Sequence, residues 1–326
     1  MNLSIVIPSF NRKDDLERCI NSILSQNYED YEIIIVDNGS KDGTREFLKN
    51  LKQKLNSRLK LILNSSNIGA SEARNQALRI ITSKYVLFLD SDAELKSENT
   101  LQLMLNLMES NERKKIGQLG GEIINGKIRL GNSERNGDGL FSWFDSLKMK
   151  ETDYVPTSNC IMPLSLLKEL GGFDPYYIYG YEDNDLGWRV RKKGLKCIMD
   201  DKIAAYHHVS NTGRTSNFFL FHKNRIRFLI KKEKFYFLIF LPLIDIYYAF
   251  KLLPARIKEF SQKPLEKVAW LDKSQKKKDC GKIKKILILV IYSYRNLLKA
   301  YWWNLMHLAE TLRIRRENPD FIKNEI

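Results

Sequence analysis

Residues 85–92 read Tyr-Val-Leu-Phe-Leu-Asp-Ser-Asp, an apolar run that ends in two carboxylates. Five consecutive apolar residues bounded by polar ones predict a buried β-strand. Asp90 and Asp92, with Ser91 between them, then stand at the end of a strand, where a hard cation such as Mg²⁺ or Mn²⁺ takes oxygen ligands. Asp-x-Asp pairs also occur as ordinary turn residues. The position of this pair in the fold favours a metal site.

Three similar apolar runs precede this one, and segments with the apolar spacing of helices alternate with them. In chain order these segments are 3–7, 14–24, 31–36, 44–55, 60–63, 70–81 and 85–89. The alternation predicts an α/β fold with a mostly parallel central sheet. Ligands of such sheets bind beyond the carboxyl ends of the strands. We therefore expect four polar loops to converge on one crevice: 9–12, 37–40, 64–69 and 90–92.

The pattern is less regular after residue 95. Apolar spacing predicts further helices over 99–108, 163–170 and 183–193. It predicts further extended segments over 117–124, 155–162, 195–199 and 203–206. The stretch 125–153 is mixed in pattern and rich in Gly and Asn. We expect it to form a mobile loop over the site.

A second acidic cluster, Glu182-Asp183-Asn184-Asp185, opens one of the predicted helices. Carboxylates in the first turn of a helix are stabilised by its dipole, so a capping role is one interpretation. The other is that Asp183 faces the crevice and takes a proton, because transfer to a hydroxyl needs a base within reach. Trp188 is then either a wall of the acceptor site, beside Glu182, or a core residue.

Other polar residues near the predicted strand ends are candidates for binding a nucleotide. Asp37 can accept the N–H of a uracil or thymine ring, or form an Asx-turn, or do both. The helix that begins after Asn67-Ile68-Gly69 offers free N–H groups to an anion. Arg74 on that helix either reaches a phosphate or lies in a surface salt bridge. The loop after the first strand offers backbone groups and a ring edge near the base, from Pro8, Phe10, Asn11 and Arg12.

The chain contains only four histidines, and two of them, His207 and His208, are adjacent after an apolar strand. A single histidine is usually a core or surface residue. A neutral imidazole from this pair can complete the ligand shell of the cation together with Asp92.

Charge divides the chain into two regions. Residues 1–217 hold 30 Lys and Arg against 29 Asp and Glu, whereas residues 218–326 hold 24 against 10. We predict a near-neutral catalytic domain over 1–217, with a nucleotide-binding half to residue 95 and an acceptor half from residue 96. The basic region 218–326 is predicted to be helical.

The basic region also contains strongly apolar stretches at 235–244, 246–250 and 286–292, flanked by lysines. Pro242 and Asp245 interrupt the first, which falls short of the roughly 20 apolar residues of a membrane span. We expect these stretches to lie at an anionic membrane surface, where cations meet lipid phosphates. Helices buried against the body of the protein are the alternative.

The cysteines and the first residues of the chain indicate the cellular compartment. The four cysteines are scattered without a Cys-x-x-Cys pair, so neither a disulfide framework nor a zinc site is indicated. The first eight residues lack the basic start and the long apolar run of a signal peptide. We predict a peripheral protein on the cytoplasmic face of the membrane.

Taken together, these segments resemble the inverting glycosyltransferases of family 2, which have the GT-A fold. The resemblance covers residues 3 to about 215 and rests on the order and spacing of five motifs: 4–12, 36–44, 67–75, 88–92, and 171–174 with 181–186. The subgroup that it suggests is that of the rhamnosyl- and galactofuranosyltransferases of cell-surface glycans. The region beyond residue 218 is poorly covered, and family members often have membrane-associated tails there.

The resemblance implies a metal-dependent transfer of a sugar from a UDP- or dTDP-sugar to a glycan or lipid-linked glycan acceptor. Asp37 would bind the base, Arg74 would approach the diphosphate, and Asp183 would be the general base. Asp92 would be the principal ligand of Mg²⁺ or Mn²⁺, with Asp90 beside it. The histidine ligand of the family falls on His207, with His208 one position away.

Three other functions compete with this interpretation. A sugar-phosphate nucleotidyltransferase shares the alternating architecture but usually has a Gly-rich loop after the first strand, and the loop 8–12 has no glycine. A basic nucleic-acid-binding protein would carry a recognition motif, and the positive charge here lies beside apolar stretches instead. A non-catalytic module would not be expected to retain Asp37, Asp92, Asp183 and His207 together.

Overall fold

A computed structural model describes residues 1–110, 115–125, 128–130, 132–135, 141–144, 150–208, 218–233, 239–247 and 282–317. The described residues up to His208 fall in one compact unit, and those from Phe218 to Glu317 fall in a second. Each unit is described below by itself.

The first half of the first unit is a regular alternation of strands and helices. Its elements are β1 (Leu3–Ser9), α1 (Lys13–Leu24), β2 (Tyr31–Asp37), α2 (Thr44–Leu55), β3 (Leu59–Leu63), α3 (Ala70–Ile80) and β4 (Tyr85–Leu89). The four strands pair in parallel in the order β4-β1-β2-β3. The α/β alternation and parallel pairing that the apolar periodicity predicts are confirmed for this half.

The second half adds strands of both directions. Its elements are β5 (Ala93–Leu95), α4 (Thr100–Glu109), β6 (Ile116–Asn125), β7 (Ile128–Leu130), β8 (Asn132–Arg135), β9 (Phe141–Phe144), β10 (Lys150–Thr152), β11 (Asn159–Pro163), α5 (Leu164–Glu169), α6 (Glu182–Lys192) and β12 (Lys196–His207). The sheet order is β10-β12-β6-β11-β4-β1-β2-β3, and β8 pairs with β9 separately. Because β11 runs antiparallel to both β4 and β6, the sheet as a whole is mixed.

Three predicted extended segments differ from the observed strands. The strand predicted over 155–162 begins only at Asn159, and the segments predicted over 195–199 and 203–206 form the single strand β12. The register of β12 shifts between Asp200 and Ala205, which is where its apolar pattern breaks. Gly121 of β6 lies against this irregular segment, so close that a Cβ would overlap the backbone of Ile203. Of the loop predicted over 125–153, Asn125 ends β6, parts are the strands β7 to β10, Asp153 follows β10, and the rest lies outside the described residues.

The core lies on both faces of the sheet, as the alternation of side chains along a strand requires. Ile5 of β1 and Leu87 of β4 face one cluster, which is filled from α1, α2 and α4. Val6 and Phe88 face the other, which is filled from α3, α5 and α6. Strands buried on both faces form the centre of the sheet and fix the positions at which their carboxyl ends lie.

The second unit is helical. Its elements are α7 (Phe218–Lys232), α8 (239–247), α9 (Lys282–Met306) and α10 (Leu308–Glu317). Ile226, Leu229 and Ile230 of α7 pack with Leu241 and Ala300 in a small core. Among the described residues, no helix has both the length and the apolarity that crossing a bilayer requires.

Candidate active site

The predicted crevice residues lie at adjacent strand ends. Asp37 is the last residue of β2 and pairs in register with Ser9, the last residue of β1. Asp90 follows β4, the strand on the other side of β1. The parallel arrangement therefore gathers the loops after β1, β2 and β4 at one edge of the sheet.

Two aspartates and a histidine form a cluster with the donor set of a cation site. One ligand atom from each of Asp90, Asp92 and His207 lies within 4.8 Å of the other two. The His207 Nε2 atom is 3.3 Å from Asp92 Oδ1 and 3.5 Å from Asp90 Oδ2. Carboxylate oxygens with an imidazole nitrogen suit Mn²⁺ or Mg²⁺. The residues present therefore fit a divalent cation.

The pairing of β12 with β5 determines which histidine joins this cluster. His207 is the last residue of β12 and lies opposite Ala93 of β5. The backbone N–H of His208 donates to the Asp92 carbonyl, while its ring lies 2.7 Å from Glu94 Oε2. The two rings thus have different partners, and the position of His207 favours it over His208 as the cation ligand.

Two arginines neutralise the aspartates. The Arg12 Nη1 atom is 2.9 Å from Asp92 Oδ2, and the Arg74 Nη2 atom is 2.9 Å from Asp90 Oδ1. Burial opposes ionisation of Asp90, but the hydrogen bond from His207 and the two guanidinium groups outweigh it and hold the pKa of this carboxyl below its usual range. Asp90 is therefore a carboxylate at neutral pH, as a metal ligand must be.

Asp37 has one oxygen engaged and one available. Its Oδ2 atom accepts hydrogen bonds from the Ser40 N–H, at 3.2 Å, and from the Arg45 Nε–H, at 2.8 Å. Its Oδ1 atom is buried and accepts no hydrogen bond from the described residues. The local turn and the base-binding role are thus compatible. Arg45 was not among the sequence candidates, because a single arginine in a helix carries no signal of its partner.

The loops after β1 and β2 are joined through Asn11. The Asn11 N–H donates to Ser40 Oγ, and Asn11 Oδ1 accepts from the Lys41 N–H, both at 2.8 Å. Asn11 adopts a positive φ of 51°, which asparagine tolerates better than most residues. The amide of Asn11 therefore shapes the loop that carries Phe10 and Arg12.

The loop before α3 is tied to its neighbours in a similar way. Asn67 Oδ1 accepts from the Gly69 N–H at 2.9 Å, and the Gly69 carbonyl accepts from Asn38 Nδ2 at 3.3 Å. Gly69 has a φ of 87°, and a Cβ on it would lie 3.2 Å from Ile178. Glycine is required there by both its backbone conformation and its close contact.

The second acidic cluster lies beside the first. The Arg74 Nη1 atom is 3.7 Å from Glu182 Oε1, while its Nη2 atom contacts Asp90. Asp183 Oδ1 accepts a hydrogen bond of 2.6 Å from the Thr157 hydroxyl. Arg74 therefore brings residues distant in the sequence into one site. Thr157 is a site residue that no sequence motif indicates.

Burial changes the acidity of this second cluster. Burial first, and then the charge of Asp183, raise the pKa of Glu182 to about 7. Burial also raises the pKa of Asp183, although Arg74 and the Thr157 hydroxyl act in the opposite direction. Carboxyl groups with a raised pKa are better proton acceptors once ionised, as a general base requires.

Side chains of α3 hold the segment that leads into this cluster. Asn75 is buried, donates from Nδ2 to the Phe173 carbonyl at 2.8 Å, and accepts at Oδ1 from the Phe173 N–H at 2.9 Å. Ser71 donates to the Tyr177 carbonyl at 2.6 Å. Because Arg74 is on the same helix and lies over the Phe173 ring, α3 positions both acidic clusters.

Trp188 lies two turns into α6 and is half-buried, with Lys192 Nζ 5.5 Å from its ring centroid. Its role as an acceptor wall stays a prediction.

Comparison with known proteins agrees with this fold. Residues 4–162 match the family model described as glycosyl transferase family 2. The chain therefore carries a domain of that family, and the predicted family is confirmed. The rhamnosyl- and galactofuranosyltransferase subgroup stays a prediction.

Two curated relatives match the same part of the chain. It is 37% identical over 107 residues to the putative teichuronic acid biosynthesis glycosyltransferase TuaG of Bacillus subtilis, which is 33% of this chain and 42% of the relative. It is 36% identical over 131 residues to the UDP-Glc:alpha-D-GlcNAc-diphosphoundecaprenol beta-1,3-glucosyltransferase WfgD of Escherichia coli, covering 40% and 49%. The matches thus span less than half the length of these two relatives.

A solved structure supports the GT-A fold. GalNAc-T7 with UDP, GalNAc and Mn²⁺ matches with a TM-score of 0.60 at 18% identity, over 70% of this chain and 47% of that one. At this identity the likeness concerns the fold alone.

Proposed function

We propose that the chain is a metal-dependent inverting glycosyltransferase that moves a sugar from a UDP- or dTDP-sugar to a hydroxyl of a glycan acceptor. The observation that carries the proposal is Arg74, which contacts Asp90 of the cation cluster and Glu182 beside Asp183. A cation site and a proton acceptor in one crevice are what such a transfer requires.

The donor end of the site is assigned to the loops after β1, β2 and β4. We propose that Asp37 Oδ1, which is buried and accepts no hydrogen bond from the described residues, accepts the imide N–H of a uracil or thymine ring. A divalent cation held by Asp90, Asp92 and His207 would supply charge neutralisation at the leaving diphosphate. Other residues proposed to line the donor site are Pro8, Phe10, Asn11, Arg12, Asn67, Gly69, Arg74 and Ser91.

The acceptor end is assigned to the start of α6. Asp183 takes the proton of the acceptor hydroxyl, and that oxygen attacks the anomeric carbon from the side opposite the diphosphate, which inverts the configuration. The Thr157 hydroxyl, 2.6 Å from Asp183 Oδ1, orients this carboxyl. Glu182 and Trp188 are proposed to contact the acceptor sugar.

The names of the relatives suggest the kind of acceptor. WfgD is named for an acceptor linked to diphosphoundecaprenol, and TuaG is named for teichuronic acid synthesis. We propose a lipid-linked glycan or a precursor of a cell-envelope polysaccharide as the acceptor. A peripheral position on the cytoplasmic face of a membrane would bring the site to such an acceptor.

A panel of nucleotide sugars tests the proposal. The purified chain is mixed with UDP- or dTDP-sugars, including UDP-glucose, and with a short-chain lipid diphosphate glycan, with and without Mn²⁺. We expect release of the nucleoside diphosphate with at least one donor, and only when Mn²⁺ or Mg²⁺ is present. If a folded chain with a suitable acceptor released no nucleoside diphosphate from any donor of the panel, the proposal would be contradicted. Formation of pyrophosphate from a nucleoside triphosphate and a sugar phosphate would instead indicate a nucleotidyltransferase.

A further inference from the structure

The second unit presents two rows of exposed apolar side chains. On α8, Ile239, Phe240, Leu243 and Ile246 are exposed, with Ile239 at 59% and Leu243 at 61%. Leu241 and Asp245 of the same helix are buried. At 100° per residue the exposed set lies on one face and the buried pair on the other. Among the described residues of this unit, one apolar face of α8 therefore stays exposed.

The longer helix α9 repeats this arrangement. Its exposed apolar residues include Leu298 at 68%, Trp302 at 65% and Leu305 at 60%. Ile291 and Tyr294 extend the same row toward the start of the helix, at the three- and four-residue spacing of one face. The buried residues Asn296, Ala300 and Asn304 lie on the opposite face.

A polar contact inside the unit connects the two helices. The Tyr301 hydroxyl of α9 donates to Asp245 Oδ2 of α8 at 2.5 Å, and Arg225 of α7 pairs with Asp245 Oδ1 at the same distance. Both faces that carry these contacts are inward. Both helices are therefore packed on their inner faces, and the apolar rows on their other faces are exposed all the same.

The charges beside the row of α9 are positive. Arg295 and Lys299 of α9 are exposed and border the face that carries Leu298 and Trp302. Asp245 is neutralised inside the unit by Arg225. The region from residue 218 onward holds 24 Lys and Arg against 10 Asp and Glu. An apolar row bordered by cations is complementary to a bilayer surface with anionic headgroups.

We infer that the exposed rows of α8 and α9 form a docking surface for an anionic lipid bilayer. The apolar side chains enter the boundary between headgroups and acyl chains, Trp302 and Tyr294 lie at the polar boundary, and Arg295 and Lys299 bind lipid phosphates. The inference deepens the peripheral location given under the proposed function and rests on it.

Flotation of the full chain with lipid vesicles tests this inference. Vesicles of phosphatidylcholine with about 30% phosphatidylglycerol are compared with vesicles of phosphatidylcholine alone. We expect the chain to float with the anionic vesicles. Leu243→Glu and Leu298→Glu, one from each row, should each lower the bound fraction by about tenfold or more. Leu298→Ser is a milder variant for the case that the charged one fails to fold.

A matched control separates the rows from any exposed apolar residue. Ile80 of α3 is exposed at 41% in the first unit, and Ile80→Glu should float like the unaltered chain. The inference would be overturned if the row variants floated as well as the unaltered chain, or if the folded unaltered chain did not float with anionic vesicles. A dimer in gel filtration that the row variants dissociate, without flotation, would assign the rows to a second copy instead.

The same variants distinguish this inference from the proposed function. Nucleotide release with a water-soluble acceptor is measured on each of them. Loss of flotation with unchanged release supports a docking surface separate from the transfer site. Release that is absent in the unaltered chain, with flotation intact, would contradict the proposed function and leave the docking surface standing.

Discussion

Arg74 lies between Asp90 and Glu182 and is almost fully buried. A buried cation between carboxylates lowers the energy of their ionised forms. At Glu182, burial and the charge of Asp183 outweigh Arg74 and raise the pKa. At Asp90, burial is outweighed by the hydrogen bond from His207 together with Arg74, which hold the pKa low. This difference separates Asp90, the proposed metal ligand, which stays charged, from Glu182, which titrates near neutral pH.

The cation cluster gives the first prediction at this scale. Asp92→Ala removes a buried carboxylate that faces His207 and Arg12. We expect Mn²⁺-dependent donor binding, measured by calorimetry, to be weakened by at least about tenfold, as loss of a metal ligand would cause. Glu94→Ala is the matched control, because Glu94 pairs with His208 outside the cluster. Unchanged dependence on Mn²⁺ in Asp92→Ala would remove this residue from the metal site.

Glu182 gives a prediction about stability and pH. Its pKa of about 7 in the folded chain lies above the ordinary value of 4.5. Between these values the folded state keeps a proton that the unfolded state releases, so this group's contribution to stability falls as pH rises. A glutamine does not titrate, so the Glu182→Gln variant does not undergo this fall in stability. Its free energy of unfolding relative to the unaltered chain should therefore increase from pH 5 to pH 8 in urea titrations.

The control for this titration is Glu169→Gln, which changes an exposed carboxylate paired with Lys193. It should follow the unaltered chain at both pH values. If the Glu182→Gln curve also ran parallel to the unaltered chain, the group would not titrate in this range.

At the scale of elements, local patterns predicted the first four strands, the six helices of the first unit and β6, but not how the later strands pair. The β1, β2 and β4 sequences are buried on both faces and are nearly continuous apolar runs, interrupted by Ser4 and Glu32, which is typical of parallel strands. The antiparallel position of β11 between β4 and β6 depends on residues far apart in the sequence. Nothing in a five-residue strand encodes which neighbours it will have.

Helix α3 gives the prediction at this scale. Asn75 satisfies both the N–H and the carbonyl of Phe173 within the buried loop before α6. Asn75→Ala leaves these groups unpaired, at roughly 1–3 kcal/mol each. We expect the free energy of unfolding in urea to fall by about 2–4 kcal/mol. Arg79→Ala, on the same helix but in an exposed pair with Glu72, should cost about 1 kcal/mol or less.

An equal effect of the two substitutions would show that α3 does not hold this loop through Asn75.

For the whole molecule, the candidate site residues were easier to predict from the sequence than the residues that hold them in position. Asp37, Asp90 and Asp92 were predictable because Asp37 ends the apolar strand β2, and Asp90 and Asp92 come within three residues of the end of β4. Arg45, Thr157 and Asn75 were not, because each acts on a partner that only the folded chain brings near. In the basic region, the apolar stretches were visible, but the exposed row through Leu298 and Trp302 depends on which helix face packs inward.

The uneven charge of the chain gives a prediction at the same scale. If cations of the second unit meet anionic lipid, screening must weaken binding, since the Debye length falls from about 10 Å at 0.1 M salt to about 3 Å at 1 M. We expect the fraction that floats with phosphatidylglycerol vesicles to decrease over this range. A DNA shift assay at about 0.15 M salt should detect no comparable binding. Tight binding to DNA, with salt-insensitive flotation, would favour the nucleic-acid alternative.

The central claim is that Asp183 accepts the proton of the acceptor while the donor is held by other residues. Its most direct test is Asp183→Asn, with donor binding measured by calorimetry and turnover measured by nucleotide release in Mn²⁺. We predict unchanged donor binding and a loss of turnover of about 10²–10⁴, the usual contribution of a general base. Loss of donor binding in a folded Asp183→Asn variant, or turnover equal to that of the unaltered chain, would contradict the account.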